Sequence, residues 1–128
     1  MTPARLGAIA PSFIVGNVTR TIAFYRDQLG FGTMFQDPER DPFFAIVRRD
    51  DVMIFVKSGG APAQPNWTRD ASIKWDAYVY VPDPDALAAE YAGRSVAFHR
   101  PLGMTSERLW GFEVDDPDGY RLFFGRPA

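Results

Sequence analysis

Hydrophobic residues recur along the chain with two periods, the two-residue period of strands and the 3.6-residue period of helices. An apolar run over 8–15 predicts a strand. Asn17 is a suitable cap for a helix over 18–29, because its side chain can accept a hydrogen bond from the first helical turn. The apolar positions of this helix have helical spacing and are Val18, Ile22, Tyr25 and Leu29. The pattern therefore predicts a strand followed by a helix.

Three strands and a linker are predicted after this helix. A short strand covers 32–35, and two alternating runs over 43–49 and 52–57 predict a hairpin. Residues 58–69 are rich in Gly, Pro, Ala and Asn and have no hydrophobic period, which is typical of a linker. The first half of the chain therefore has the order β-α-β-β-β.

The second half repeats this order. Its predicted elements are a strand over 75–81, a helix over 84–92 capped by Asp83, a short strand over 96–98, an irregular loop over 99–108, and a hairpin of 109–115 and 120–125. Val81 aligns with Val15 and Tyr91 with Tyr25, an offset of 66 residues in both cases (81 − 15 and 91 − 25). The fold class predicted is α+β, a single domain over 1–128 with two tandem β-α-β-β-β modules, about 8–57 and 75–125, and a linker over 58–74.

Alternation gives each predicted strand two faces of different character. One face is almost wholly apolar and is expected to pack against the helices; it carries Val15, Ile54, Val56, Val79, Val81, Phe112, Val114, Leu122 and Phe124. The opposite face mixes aromatic, apolar and charged side chains: Ser12, Ile14, Arg48, Met53, Phe55, Lys57, Asp76, Tyr78, Tyr80, Glu113, Asp115, Arg121 and Phe123. Such a face is suited to line a ligand cleft, although a solvated face or a dimer contact is the alternative. Pairing across the last hairpin places Asp115 opposite Arg121 and Glu113 opposite Phe123.

Composition excludes several kinds of chemistry. The chain has no Cys and one His, His99, which excludes disulfides, thiol catalysis and cysteine-ligated zinc. The net charge of −2 comes from interspersed charges, so no basic stripe favours nucleic acid as a partner. No apolar run is long enough to span a membrane or to form the core of a signal peptide, and we expect a cytoplasmic protein without a membrane partner. Aromatic residues make up 15% of the chain, which suggests a walled pocket or an interface; a simple aromatic core is an equally consistent interpretation.

Two segments carry a family resemblance. They are FIVGNVTRTIAFY over 13–25, followed by Leu29-Gly30-Phe31, and GFEVDDPDGYRL over 111–122. In combination they resemble the opening and the close of the vicinal-oxygen-chelate superfamily, whose members include glyoxalase I, extradiol dioxygenases, fosfomycin-resistance transferases and bleomycin-binding resistance proteins. The resemblance covers nearly the whole chain. It implies that the two modules form a curved mixed sheet that encloses a cleft, with the helices on the convex side, commonly in a homodimer.

The resemblance also bears on metal binding. Family enzymes place metal ligands on the first and last strands of each module, and these positions correspond here to Ala10, Phe55, Asp76 and Phe123. Three of the four cannot bind metal, and a single carboxylate cannot hold a divalent transition metal against water. The resemblance therefore implies the metal-free, bleomycin-resistance-like branch, with no cofactor, in which the cleft sequesters a small aromatic or amphipathic molecule.

The candidate ligand-binding residues are Phe55, Lys57, Tyr78, Trp110, Arg121 and Phe123. Trp110, like Trp67 and Trp75, is expected near the mouth of the cleft, although a place in the subunit interface is equally consistent. In the alternative function, an isomerase, lyase or dioxygenase of the superfamily uses either a metal at other ligands or the acid-base candidates Asp76, Glu113 and His99. A loop or interface position is the plainer interpretation of His99. A third possibility is a non-catalytic module whose aromatic face binds another protein.

Overall fold

The computed structural model describes residues 2–128. In chain order they form β1 (Ser12–Ile14), α1 (Val18–Asp27), β2 (Gly32–Asp37), β3 (Phe44–Arg49), β4 (Val52–Lys57), α2 (Asn66–Arg69), β5 (Ala77–Tyr80), α3 (Pro84–Gly93), β6 (Arg100–Met104), β7 (Leu109–Asp115) and β8 (Arg121–Pro127). No helix within this range is long and apolar enough to cross a membrane.

The strands form two four-stranded mixed sheets. Their orders are β1-β4-β3-β2 and β5-β8-β7-β6. In each sheet the first strand of a module lies parallel to the last strand of the same module, and the other neighbours are antiparallel. The predicted α+β fold of two β-α-β-β-β modules is confirmed, and the two sheets are not closed into a barrel.

Both long helices begin at the predicted caps. The Asn17 side chain accepts a hydrogen bond from the backbone N–H of Arg20 at 2.9 Å, and Asp83 accepts one from Ala86 at 3.1 Å. Helix α1 ends at Asp27, two residues earlier than predicted, because Gly30 has a positive φ of 77° that turns the chain towards β2. The caps fix where each helix starts relative to the strand before it.

The helix-facing sides of both sheets contribute to one hydrophobic core. Two buried tyrosines connect the modules through this core. The hydroxyl of Tyr25 on α1 donates to Asp116 in the second module at 3.0 Å, and that of Tyr91 on α3 donates to the carbonyl of Leu29 at 2.9 Å. The hydroxyls thus satisfy polar groups at the junction, while the rings fill the core.

The turn between β7 and β8 attaches the second module to the start of α1. Asp118 accepts a hydrogen bond from the backbone N–H of Gly16 at 3.0 Å, and the Tyr120 ring stacks on Phe13 with centroids 4.2 Å apart. The carboxylate of Asp116 accepts bonds from the backbone N–H groups of Asp118 and Tyr120. Burial of this carboxyl raises its pKa from 3.8 to about 7, because burial disfavours the charged form.

Three segments differ from the predicted pattern. β1 is shorter than predicted, since Pro11 has no N–H to extend the ladder. The prediction of a strand over 96–98 is wrong. The strand β6 lies instead at Arg100–Met104, within the predicted loop. Its Pro and Gly residues and a register shift against β7 obscure the strand pattern in the sequence. The predicted linker contains one helical turn, α2.

Candidate ligand-binding site

The side of the first sheet that faces away from the helices carries a row of three phenylalanines. We call Phe35, Phe44 and Phe55 the first-sheet cluster. Centroid distances are 6.0 Å between Phe35 and Phe44 and 6.1 Å between Phe44 and Phe55. Phe35 remains 50% exposed. This sheet therefore presents an aromatic surface to solvent in a single chain.

The corresponding side of the second sheet carries Trp75, Tyr78 and Phe123, which we call the second-sheet cluster. Phe123 stacks on Trp75 with centroids 4.4 Å apart and on Tyr78 at 5.6 Å. Tyr78 is 41% exposed, whereas Phe123 is fully buried. Phe123, a predicted ligand contact, is therefore the base of the cluster, and the rings a ligand could touch are those of Trp75 and Tyr78.

Two glycines explain why the Phe123 ring lies so close to the sheet. Gly111 and Gly125 are register partners on β7 and β8. A Cβ atom added at Gly125 would lie 2.5 Å from Cε1 of Phe123, and one added at Gly111 would lie 2.8 Å from its Cζ. The missing side chains thus leave the space that the ring fills. The flat base of the cluster depends on both glycines.

Glu113 fixes the orientation of Trp75. The Nε1–H of Trp75 donates to Oε2 of Glu113 at 2.9 Å. The Glu113 side chain is 6% exposed, and a buried carboxylate requires such a donor. Glu113 was a candidate for acid-base catalysis, and here it positions an aromatic ring.

Arg121 forms the predicted ion pair with Asp115. Its Nε and Nη2 donate to the two carboxylate oxygens at 2.8 and 3.0 Å, which raises the pKa of the guanidinium above its usual value. Its guanidinium also lies over the Trp67 ring, 5.4 Å from the centroid. Because the side chain is only 15% exposed, it is mostly engaged within the protein.

His99 lies beside this ion pair. Its backbone N–H donates to the carbonyl of Glu113 at 2.8 Å, directly before β6. Its ring lies 3.8 Å from Oε1 of Glu113 and 3.7 Å from Oδ2 of Asp115. We call His99, Glu113, Asp115 and Arg121 the charge cluster. Neither carboxylate is near His99 in the sequence, because both lie on the neighbouring strand β7. Nη2 of Arg121 also lies 3.4 Å from Nδ1 of His99.

Asp76, the remaining acid-base candidate, has a structural role. Its Oδ1 accepts the backbone N–H of Asn66 at 2.7 Å, and its Oδ2 accepts that of Arg121 at 2.8 Å. One carboxylate thus joins helix α2 to the start of β8. Both oxygens thus accept backbone hydrogen bonds that hold this segment in place.

The metal positions implied by the family resemblance do not fit a metal. Ala10 and the two phenylalanines, Phe55 and Phe123, have no ligand atom in their side chains, which leaves the single carboxylate of Asp76, whose two oxygens each accept a backbone hydrogen bond. Residues 2–128 contain no group of three or more His, Cys, Asp or Glu arranged to hold an ion.

The prediction that Trp110 lies near the mouth of the cleft is wrong. Its Nε1–H donates to Asp85 on α3 at 2.7 Å, so it lies on the helix side of the sheet, away from Tyr78. The alternation of β7 contains this signal, because Trp110 has the same phase as Phe112 and Val114 in the core.

The candidate ligand contacts therefore fall into two groups within one chain. Phe55 and Lys57 lie on β4 of the first sheet, whereas Tyr78, Arg121 and Phe123 belong to the second. Within residues 2–128 no ring contact joins the first-sheet cluster to the second-sheet cluster. Sequence analysis missed Phe35 and Phe44 as members, although pairing of β2, β3 and β4 could have placed them beside Phe55.

A separate groove of about 720 Å³ lies between the modules. Its walls include helix-facing residues of both sheets, such as Ile54, Val79 and Phe124, and it reaches the free edge of β5 at Tyr80. Neither Phe55 nor Phe123 lines it. Tyr78 does line it, so the groove adjoins the second-sheet cluster at that ring.

Comparisons with known proteins agree with this architecture. The family described as "Glyoxalase/Bleomycin resistance protein/Dioxygenase superfamily" matches residues 5–124. The sequence matches none of the curated proteins with which it was compared.

Among solved structures, the bleomycin-binding protein of the bleomycin producer Streptomyces verticillus, complexed with copper(II)-bleomycin, is 27% identical, with a TM-score of 0.73 over 99% of this chain and 100% of that one. Another bleomycin-binding protein complexed with bleomycin is 17% identical, with a TM-score of 0.72 over 96% and 100%. TnmS3, an antibiotic-binding protein from Streptomyces sp. CB03234, is 18% identical, with a TM-score of 0.71 over 100% and 99%. At 17% and 18% identity, the latter two proteins are similar to this chain in fold alone.

Proposed function

The chain belongs to the glyoxalase, bleomycin resistance protein and dioxygenase superfamily, and from this premise we propose that it is a cytoplasmic, homodimeric protein that sequesters a small aromatic or amphipathic molecule without a metal. The second-sheet cluster carries the proposal. It offers an exposed ring at Tyr78, a Trp75 ring oriented by Glu113, and a flat base at Phe123. Such surfaces bind planar ligands by stacking.

The similarity to antibiotic-binding proteins supports binding as the function. The Streptomyces verticillus protein, which is 27% identical over nearly its whole length, is described as binding bleomycin. The acid-base candidates support the same choice over catalysis, because Asp76 and Glu113 are both hydrogen-bonded in structural roles. We therefore expect a bound ligand to be released unchanged.

The separation of the two aromatic clusters supports a homodimer. Ligand pockets normally bury most of the ligand surface, and one open sheet face does not do so. In the proposed dimer, the first-sheet cluster of one protomer covers the second-sheet cluster of its partner, with Phe55 and Lys57 on one wall and Tyr78 on the other. The ligand would lie between them.

The test uses calorimetric titration with bleomycin and with 1-methylnaphthalene, a plain planar aromatic. We expect Tyr78→Ala and Phe55→Ala each to weaken binding roughly tenfold, the effect of losing one stacked ring. Tyr80→Ala is the matched control, because Tyr80 lies on the same strand and is exposed but belongs to neither cluster. Light scattering checks that each variant keeps the mass of a dimer. Unchanged affinity in both cluster variants would refute the proposed site, and a monomeric wild-type protein would refute the shared cleft.

A further inference from the structure

A pocket of about 400 Å³ lies between β1, the linker over 58–74 and the second module. Residues 11–14 form one wall, linker residues between 61 and 69 form another, and Asp76 and Tyr120 complete it. None of the six rings of the two aromatic clusters lines this pocket. Its volume is within the range of sites that hold small molecules.

Two opposite charges line this pocket without pairing. They belong to Arg69 and Asp76, and neither side chain forms an ion pair within residues 2–128. Nη2 of Arg69 donates to the neutral amide oxygen of Asn66. Asp76 accepts from the backbone N–H groups of Asn66 and Arg121. The pocket therefore has one cation and one anion whose charges are not balanced by each other.

Both charged groups retain hydrogen-bonding capacity. A carboxylate has about four acceptor positions, so each oxygen of Asp76 can accept a further bond beside the one from the backbone. A guanidinium has five N–H donors, and the side chain of Arg69 is exposed. A short molecule that carries an ammonium and a carboxylate group can thus bond to Asp76 and to Arg69 at the same time.

The remaining walls suit an apolar group. Ile14 is 42% exposed and lines the pocket together with Pro11, Ala61 and Pro62. An aliphatic or aromatic side chain that leaves water here gains free energy in proportion to the apolar area it buries. The pocket therefore combines a charged end with an apolar wall.

We propose that this pocket binds an apolar α-amino acid, with the ligand carboxylate at Arg69, its ammonium at Asp76 and its side chain against Ile14 and Pro62. A simple anion would be repelled by Asp76, and a simple cation would be repelled by Arg69. The zwitterion matches both charges. The proposal goes beyond the proposed function, because the pocket lies outside both aromatic clusters.

The experiment compares three probes that share one phenyl ring. L-Phenylalanine carries both charges, phenethylamine lacks the carboxylate, and 3-phenylpropionate lacks the ammonium. Chemical-shift titration of nitrogen-15-labelled protein at pH 7 measures each dissociation constant and locates the site. We expect phenylalanine to bind roughly tenfold more tightly than either analogue, the order of effect of one hydrogen bond to a charged group. The backbone amides of Asn66 and Arg121 should shift most, because they donate to Asp76.

Variants identify the groups responsible. Arg69→Met should reduce the affinity for phenylalanine roughly tenfold, so that it binds no more tightly than phenethylamine. Arg40→Met is the matched control, because Arg40 is an exposed arginine between β2 and β3 that does not line the pocket; it should keep the wild-type affinity.

Asp76→Asn should remove the advantage of the ammonium group, so that phenylalanine binds no more tightly than 3-phenylpropionate. Because Asp76 also joins α2 to β8, far-UV circular dichroism checks that this variant folds. If it does not fold, Arg69→Met and the comparison of the three probes decide the proposal.

The proposal is refuted if phenylalanine binds no more tightly than both analogues, or if Arg69→Met binds it as wild type does. Shifts confined to the amides around Tyr78 and Phe123 would also refute it, because the ring would then lie on the second-sheet cluster. Arg69→Met should keep the wild-type affinity for 1-methylnaphthalene, since Arg69 belongs to neither cluster. Failure of this proposal is thus distinguishable from failure of the proposed function.

Discussion

Replacing Asp116 by Asn should remove a large pH dependence of stability. The carboxyl is 5% exposed, and its pKa rises from 3.8 in the unfolded chain to about 7 in the folded protein. The folded state therefore binds this proton more tightly than the unfolded state. By linkage, the free energy of unfolding falls as pH rises from about 4 to about 7 and then levels off.

The magnitude follows from the pKa values. Each pKa unit corresponds to 1.36 kcal/mol, so the contribution of Asp116 changes by at most about 4 kcal/mol over the whole range and by about 3 kcal/mol between pH 5 and pH 8. Three donors favour the charged form and oppose this shift: the Tyr25 hydroxyl and the backbone N–H groups of Asp118 and Tyr120. Burial is the largest cause and sets the direction.

Urea denaturation followed by tryptophan fluorescence at pH 5, 6, 7 and 8 measures this effect. An Asn at 116 can accept from both backbone N–H groups and donate to the Tyr25 hydroxyl, so it suits the site without a charge. We expect wild type to lose stability relative to Asp116→Asn across this range. The hydrogen bond from Lys74 and neighbouring donors hold the pKa of Glu107 at about 2. Glu107 therefore does not contribute to the pH dependence of stability between pH 5 and pH 8. Parallel stability profiles for the two proteins would refute the reasoning.

Three further predictions concern the cluster base, the module junction and metal binding. Gly111→Ala should destabilise the protein by about 1–3 kcal/mol in urea denaturation, because the new Cβ would overlap the carbonyl of Phe124 and crowd the ring of Phe123. A decrease in the free energy of unfolding below about 0.5 kcal/mol would contradict the close packing. Arg49→Met should lower the free energy of unfolding by about 1 kcal/mol, because the half-buried ion pair of Arg49 with Glu90, at 2.7 and 2.8 Å, joins the two modules. If the effects of Arg49→Met and Glu90→Gln on this free energy simply add in a double-mutant cycle, the two side chains are not coupled. Elemental analysis after incubation with nickel, zinc, iron or manganese should find no stoichiometric metal, and a bound metal would favour the enzymatic alternative.

Local sequence signals predicted much of the fold. Asn17 and Asp83 fixed the helix starts, because a cap needs only its own side chain and the next turn. Strand alternation separated the core face from the aromatic face, and the pairing of Asp115 with Arg121 followed from counting outward from the hairpin turn. These features depend on neighbours close in sequence. Non-local features escaped prediction: the Pro and Gly residues of β6 hide its strand pattern, and Trp110 follows the alternation of β7 onto the helix side although it lies near a loop.

The sequence by itself determined the two-module order and the two faces of each strand. Tertiary structure decided how the aromatic face is used. Only strand pairing brought Gly111 and Gly125 beneath Phe123, which made that ring a buried base, and only the packing of separate strands placed His99 beside Glu113. Such contacts join residues far apart in the chain, and their distances depend on sheet register and on the space left by missing side chains, which no local pattern encodes.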